Sequence, residues 1–272
     1  MEINMNQANL KSRLRSHPGC ISMAAVLIGL ALSVSPSWGQ NVIDADADGI
    51  LMAMTSHLKS LQAFTVDYDT DHEIVDLAGQ KLQYSASGSV QASRGDGFYM
   101  TRKGPFADVE LTFDGKLISL YGKGMNVYTQ LHSPGASIDE AVEEFRVSTG
   151  LDVAGADFLV ADPYAVLTEG ATSGRLVGDA FVGGVECDQL AFRSDDVDWQ
   201  IWISKGAEKL PVKYVITTKW VTGAPQYSLR FSNWKAGGVD AKLFSFKAPA
   251  NAKKLERIDS DEVGELMLEG SK

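Results

Sequence analysis

The stretch VDWQIWIS at residues 197–204 decides the fold, because apolar residues occupy every second position along it, with Trp202 the one apolar residue at an alternate position. One side of an extended chain then carries Val197, Trp199, Ile201 and Ile203, a pattern typical of a half-buried β-strand. Three more stretches continue the strand-like pattern: LPVKYVITTKW at 210–220, PQYSLRFSNW at 225–234 and KLFSFKAPANAKK at 242–254. Together they predict an antiparallel sheet with one apolar face and one face toward water.

The predicted apolar face continues through the next two stretches, where it carries Val212, Tyr214, Ile216, Trp220, Tyr227, Leu229 and Phe231. The opposite face carries polar residues, among them Asp198, Gln200, Lys213, Lys219, Gln226 and Arg230. An apolar sheet face of this width must be covered by helices or by a bound apolar molecule.

The region upstream predicts a helix followed by a meander of strands. Asp46 and Asp48 supply N-capping chemistry for a helix whose apolar stripe is Ile50, Leu51, Met54, Leu58 and Leu61. Strands follow at 64–70 and 82–92, joined by a turn at 77–80, and Gly88 within the second predicts a bulge. Short strands separated by glycine-containing turns extend to about residue 131.

The middle of the chain predicts two short helices. Ser137 and Glu140 form a capping box, and Gly150 ends the helix that it begins. Asp162 followed by Pro163 starts another helix, which ends by residue 170. The order helix, strands, helices, strands predicts a single α+β domain.

The N-terminus has the features of a cleaved export signal. A basic region at 11–15 precedes an apolar run at 21–34, and Ser37 and Gly39 provide small residues before a cut at Gln40. The run is shorter than the roughly 20 residues that a membrane span needs. We therefore expect a periplasmic protein without an integral membrane span after signal removal.

Three regions are predicted: a signal peptide at 1–39, a single domain at 40–258 and a flexible tail at 259–272. Removing the signal takes away three basic residues and one acidic residue, so the formal net charge changes from -10 to -12. This charge argues against nucleic acid as a partner. Cys187 is the one cysteine in the mature sequence, so no intrachain disulfide is expected, and we interpret it as a small buried apolar residue.

No residue pattern predicts catalysis, a metal or a cofactor. Asp44, Asp46 and Asp48 imitate the start of a calcium loop, but Thr55 stands where that loop needs a bidentate glutamate. The mature histidines are far apart in sequence, and no nucleophile or metal motif accompanies them. An undetected hydrolase is the least favoured interpretation.

The stretches WQIWI, LPVKYVIT, the aromatic strand ending in Asn233–Trp234, LFSF at 243–246 and PANA at 249–252 resemble the DUF2092 family of predicted periplasmic proteins. The resemblance extends over nearly the whole mature chain. The family is similar in architecture to the lipoprotein carriers and receptors of the outer membrane. One position departs from the family pattern: Gln189 stands where His is expected, so a role built on that histidine is not expected here.

The resemblance implies an open antiparallel β half-barrel with helices covering its concave face. Such a protein binds an apolar ligand or a lipidated partner without catalysis or cofactor, and we expect a monomer. The expected cavity lining is Trp199, Tyr214, Ile216, Tyr227 and Phe231, and the expected lid is Phe158, Leu159, Tyr164 and Leu167. The alternative is an envelope interaction or sensor module whose core is filled and whose outer surface docks another protein.

Overall fold

The structure is a computed structural model that describes residues 42–105, 107–151 and 153–256. The predicted signal peptide and tail lie outside these residues. The helices are α1 (Ala45–Ser60), α2 (Ile138–Thr149) and α3 (Pro163–Thr168), with 3-10 turns at Ala156–Phe158 and Ala241–Phe244. The strands are β1 (Val42–Ile43), β2 (Ala63–Val75), β3 (Lys81–Ser93), β4 (Gly97–Lys103), β5 (Asp108–Phe113), β6 (Leu117–Gly122), β7 (Val127–His132), β8 (Ser173–Val182), β9 (Val185–Arg193), β10 (Val197–Ser204), β11 (Pro211–Thr218), β12 (Gln226–Ala236) and β13 (Lys253–Lys254).

The described strands form one large open sheet. Their order is β1-β8-β9-β10-β11-β12-β2-β3-β4-β5-β6-β7-β13. Two antiparallel meanders, β2 to β7 and β8 to β12, are joined because β12 pairs with β2. The two-residue strands β1 and β13 pair in parallel at the outer edges. The described chain is thus mostly β with few helices, which confirms the predicted antiparallel sheet; β1 was not predicted.

Local capping signals set the helix ends. The side chain of Asp44, rather than Asp46 or Asp48, caps α1, since its Oδ1 accepts a hydrogen bond from the backbone N–H of Asp46 at 2.9 Å. The predicted capping box of Ser137 and Glu140 begins α2, and Gly150 ends it in the left-handed conformation at φ 72°. The aspartates that imitate the start of a calcium loop therefore belong to the first turn and cap of a helix.

One face of the sheet, called here the apolar face, carries most of the core. Strand register places Phe64, Val66 and Tyr68 of β2 beside Ala92, Val90 and Gly88 of β3. On the other meander it aligns Leu229, Tyr214, Ile201 and Leu190 across β12, β11, β10 and β9. The helices pack on this face through Leu51, Met54, Leu58, Ile138 and Phe145. Burying each such side chain stabilises the fold by about 1.5–3 kcal/mol.

The opposite face is polar, as predicted, but its β4–β7 end is covered by a strap formed by residues 241–254. The Phe246 ring packs against Tyr121 at 5.9 Å and Tyr128 at 5.1 Å between centroids, and Phe244 is buried. The prediction that 242–254 is a strand was wrong: only Lys253 and Lys254 join the sheet. Phe244 is buried and Phe246 is partly buried because the strap lies across the sheet, whereas Leu243 is exposed.

Gly88 does not form the predicted bulge, because β2 pairs with β3 in one unbroken register. A Cβ at Gly88 would lie 2.6 Å from the Tyr68 ring and 2.0 Å from the carbonyl oxygen of Thr101. The ring crosses this position because the Tyr68 hydroxyl donates a hydrogen bond to that oxygen at 2.7 Å. Glycine is therefore needed at position 88 because a side chain there would clash with the Tyr68 ring. Register shifts occur instead in β8, β10 and β12.

Candidate binding site

The five predicted lining residues lie together on the apolar face. Trp199, Ile216 and Tyr227 are directly opposite one another across β10, β11 and β12. Tyr214 is opposite Leu229, and Phe231 is opposite Tyr68 of β2. Trp199 and Tyr214 are buried, whereas Ile216, Tyr227 and Phe231 are partly exposed. Trp220, which was expected on this face, lies beyond the end of β11 and is exposed.

The predicted lid residues belong to one segment, residues 153–168, called here the lid. The Phe158 ring packs edge-on against Tyr214 at 5.4 Å and Phe231 at 5.1 Å between centroids. Phe158, Leu159 and Leu167 are buried. The backbone approaches the sheet closely at Gly155, where an added Cβ would lie 3.1 Å from Leu229. The middle of the apolar face is thus filled by side chains of the lid.

Arg94, which sequence reasoning missed, ties the lid to α1. Its guanidinium donates hydrogen bonds to the carbonyl oxygens of Leu159 and Val160 at 2.9 and 3.1 Å. It also donates to the carbonyl oxygens of Leu58 and Leu61 at the end of α1, at 2.9 and 3.0 Å. Burial lowers the pKa of Arg94 from its ordinary value, although the negative charge of Asp139 opposes this.

Other polar contacts hold the lid at its edge. The Tyr164 hydroxyl donates a hydrogen bond to Asp48 on α1, and this bond raises the pKa of Tyr164 to about 12. The backbone N–H of Ala161 donates to Asp139 Oδ1 on α2 at 2.9 Å. The ion pair of Lys59 with Asp162, at 3.5 Å, is about half exposed and contributes little.

An outer groove continues the apolar face past the lid. It consists of His72, Ile74, Leu82, Tyr84, Ile216 and Tyr227, which are all partly exposed. The groove exists because β2 and β3 have 13 residues each, so their hairpin extends past the segment that the lid covers. In the sequence, the outer groove is indicated by Thr70, His72 and Ile74, which occupy every second position of β2 and therefore share one face.

His72, in the outer groove, makes the stability of the protein depend on pH. Burial lowers the pKa of His72 below its ordinary 6.5, and the positive charge of Arg102 lowers it further. The unfolded chain therefore binds this proton more readily, so the free energy of unfolding falls as the pH drops from about 6.5 through the folded-state pKa. We expect His72→Gln to lose this part of the dependence, as measured by urea unfolding between about pH 8 and pH 5. Equal pH slopes in both proteins would show that His72 contributes nothing.

A surface pocket of about 440 Å³ lies over β8, β9 and β10. Its lining is mixed: polar residues such as Arg175, Arg193 and Asp198 stand beside apolar residues such as Val177, Ala191 and Phe192. Trp199 is the one predicted lining residue that it includes, so this pocket is distinct from the expected cavity.

Two buried ionisable side chains, Cys187 and Tyr214, have raised pKa values. Within the described ranges, no three His, Cys, Asp or Glu side chains gather closely enough to hold a metal ion. Cys187 is buried, and burial raises the pKa of its thiol. Burial likewise raises the pKa of Tyr214 well above its ordinary value. No helix in the described part of the chain is long and apolar enough to cross a membrane.

Several solved structures are similar to this chain at low identity. An uncharacterized conserved protein from Thermus thermophilus is 13% identical with a TM-score of 0.47, and the match covers 78% of this chain and 99% of that one. The lipoprotein LppX of Mycobacterium tuberculosis is 16% identical with a TM-score of 0.45, over 73% of this chain and 99% of LppX. A chain of the MucA/MucB complex of Pseudomonas aeruginosa is 16% identical with a TM-score of 0.42, over 74% of this chain and 62% of that one.

No curated protein matches the sequence. The profile of the family described as "Predicted periplasmic protein (DUF2092)" matches residues 47–257. This range holds every lining and lid residue described above. The chain therefore belongs to the DUF2092 family and is a periplasmic protein.

Proposed function

We propose that this protein is a non-enzymatic periplasmic binding protein that holds an apolar ligand, such as a lipid chain, against the concave face of a half-barrel. The proposal rests on the outer groove, where apolar side chains remain partly exposed next to the lining residues. Ile216 and Tyr227 belong to both sets. A bound acyl chain would bury this surface and gain about 0.8 kcal/mol for each methylene removed from water.

The lid is the element that would move to extend the site inward. It supplies Phe158, which occupies the space between Tyr214 and Phe231. Gly150 and Gly170, at φ 72° and 66°, stand on either side of it in a conformation that side chains rarely adopt. Glycines at both ends allow the backbone changes that a hinge requires.

An acyl chain needs only apolar contact, so the proposal includes no cofactor and no catalytic group. A free lipid and the acyl chain of a lipidated protein present the same chemistry to this face. The proposed form is a monomer, because one chain supplies both the lining and the lid.

A second candidate is an interaction module with a filled core that docks another envelope protein. The packing of Phe158 on Tyr214 and Phe231 favours it, because the lid already covers the middle of the apolar face. In that case the lid would stay closed and no apolar ligand would bind.

Uptake of an apolar fluorescent probe distinguishes the two candidates. Ile216→Asn places an amide in the groove, and we expect it to weaken probe binding about tenfold. The matched control is Thr217→Asn, which places the same side chain on the opposite face of the same strand and should leave binding unchanged. Equal weakening by both variants would contradict the site, and a wild-type protein that takes up no probe would support the filled core.

A further inference from the structure

Two exposed apolar side chains project from neighbouring turns at one end of the sheet. Leu77, in the β2–β3 turn, is 89% exposed, and Trp220, in the β11–β12 connection, is 71% exposed. We call them the tip pair. The β11–β12 connection packs against the end of β2: the backbone N–H of Gln226, at the start of β12, donates to Glu73 Oε2 at 2.9 Å, and a Cβ at Gly223 would lie 3.0 Å from the Val75 side chain.

Both turns are well-defined structures. Asp76 Oδ1 accepts hydrogen bonds from the backbone N–H groups of Ala78 and Gln80 at 2.9 and 2.8 Å. In the other turn, the backbone N–H of Ala224 donates to the carbonyl oxygen of Val221 at 2.9 Å. Backbone conformation therefore holds the tip pair outward, although exposing large apolar side chains to water is unfavourable.

Leu77 lies just beyond the end of the outer groove, in the turn that joins β2 to β3. Ile74 and Leu82 are the last groove residues on β2 and β3, and they face each other across the hairpin that ends in Leu77. From there the groove continues to Ile216 and Tyr227, because His72 is opposite both Tyr84 and Tyr227, and Tyr227 is opposite Ile216.

We infer that the tip pair inserts into the surface of a zwitterionic lipid bilayer and so places the mouth of the groove at the source of its apolar ligand. Projecting side chains suit a fluid bilayer, which needs no matching pocket, and Trp is enriched at membrane interfaces. The partner is zwitterionic because the mature chain has a formal net charge of -12, which repels anionic headgroups. At the tips, Lys81 pairs with Glu73 at 3.1 Å and Lys219 precedes Trp220, so the repulsion comes from the net charge of the whole chain.

The inference rests on the proposed function, and sedimentation with phosphatidylcholine vesicles tests it separately from ligand uptake. We expect the mature protein to sediment with the vesicles, and Leu77→Ser combined with Trp220→Ser to lower its partition coefficient roughly tenfold or more. The matched control is Phe181→Ser, because Phe181 is 73% exposed in the β8–β9 hairpin at the other end of the sheet. Adding phosphatidylglycerol to the vesicles should weaken binding.

The double variant should still take up the apolar probe in solution. Wild-type protein that takes up the probe but does not sediment would overturn the inference and leave the proposed function in place. Equal losses from Phe181→Ser and from the double variant would also overturn it. Sedimentation that depends on the tip pair, in a protein that takes up no probe, would support membrane contact and refute the proposed function.

Discussion

We expect Arg94→Met to lower the free energy of unfolding by about 3–5 kcal/mol, because four backbone carbonyl oxygens lose a charged donor at once. Met retains the apolar stem of the side chain, so the loss reports the hydrogen bonds rather than the packing. The affected carbonyls belong to the end of α1 and to the lid. Urea unfolding followed by circular dichroism measures the change.

Arg146→Met is the matched control for this prediction. Arg146 pairs with Glu143 one turn earlier on α2, and both side chains are more than half exposed. We expect this variant to lose no more than about 0.5 kcal/mol. If both variants lose the same small amount, Arg94 does not hold the lid to α1.

We expect Phe158→Ala to lower the free energy of unfolding by about 3–5 kcal/mol and to raise the affinity for an apolar probe. The stability falls because a buried ring is lost, and the affinity rises because its removal leaves a cavity between Tyr214 and Phe231. An apolar cavity of this kind stays dry and accepts apolar molecules. Unfolding and probe titration on the same sample check both parts.

The control is Phe244→Ala, because Phe244 is an equally buried ring in the strap. We expect a similar loss of stability without a gain in probe affinity, since the strap covers β4 and β5 from the polar face. A gain in affinity from both variants would mean that the probe reports general loosening of the fold.

Much of the sheet could be predicted because its strands follow a two-residue period. The alternation in VDWQIWIS predicted that Trp199, Ile201 and Ile203 share a buried face, which the structure confirms. The capping box of Ser137 and Glu140 predicted the start of α2 because both partners are local in sequence. Such features depend on neighbouring residues, so the sequence pattern contains them directly.

Features that depend on distant contacts could not be predicted. The aromatic residues of the strap have strand spacing, yet they pack across β4 to β7 instead of joining the sheet. Tertiary packing, rather than local preference, determines their conformation. Gly88 resembles a bulge in sequence, but its role depends on the ring of Tyr68. Arg94 had no sequence signal, since its acceptors are backbone carbonyls that the fold brings together.

The most direct test of the account is native mass spectrometry of the protein purified from the periplasm without detergent. We expect a fraction of the protein to be heavier by the mass of one lipid. Ile216→Asn should reduce this fraction, and Phe158→Ala should increase it. If the wild-type protein and both variants show only the mass of the polypeptide, and none acquires a lipid when one is added, the apolar face is a filled core and the proposed function is wrong.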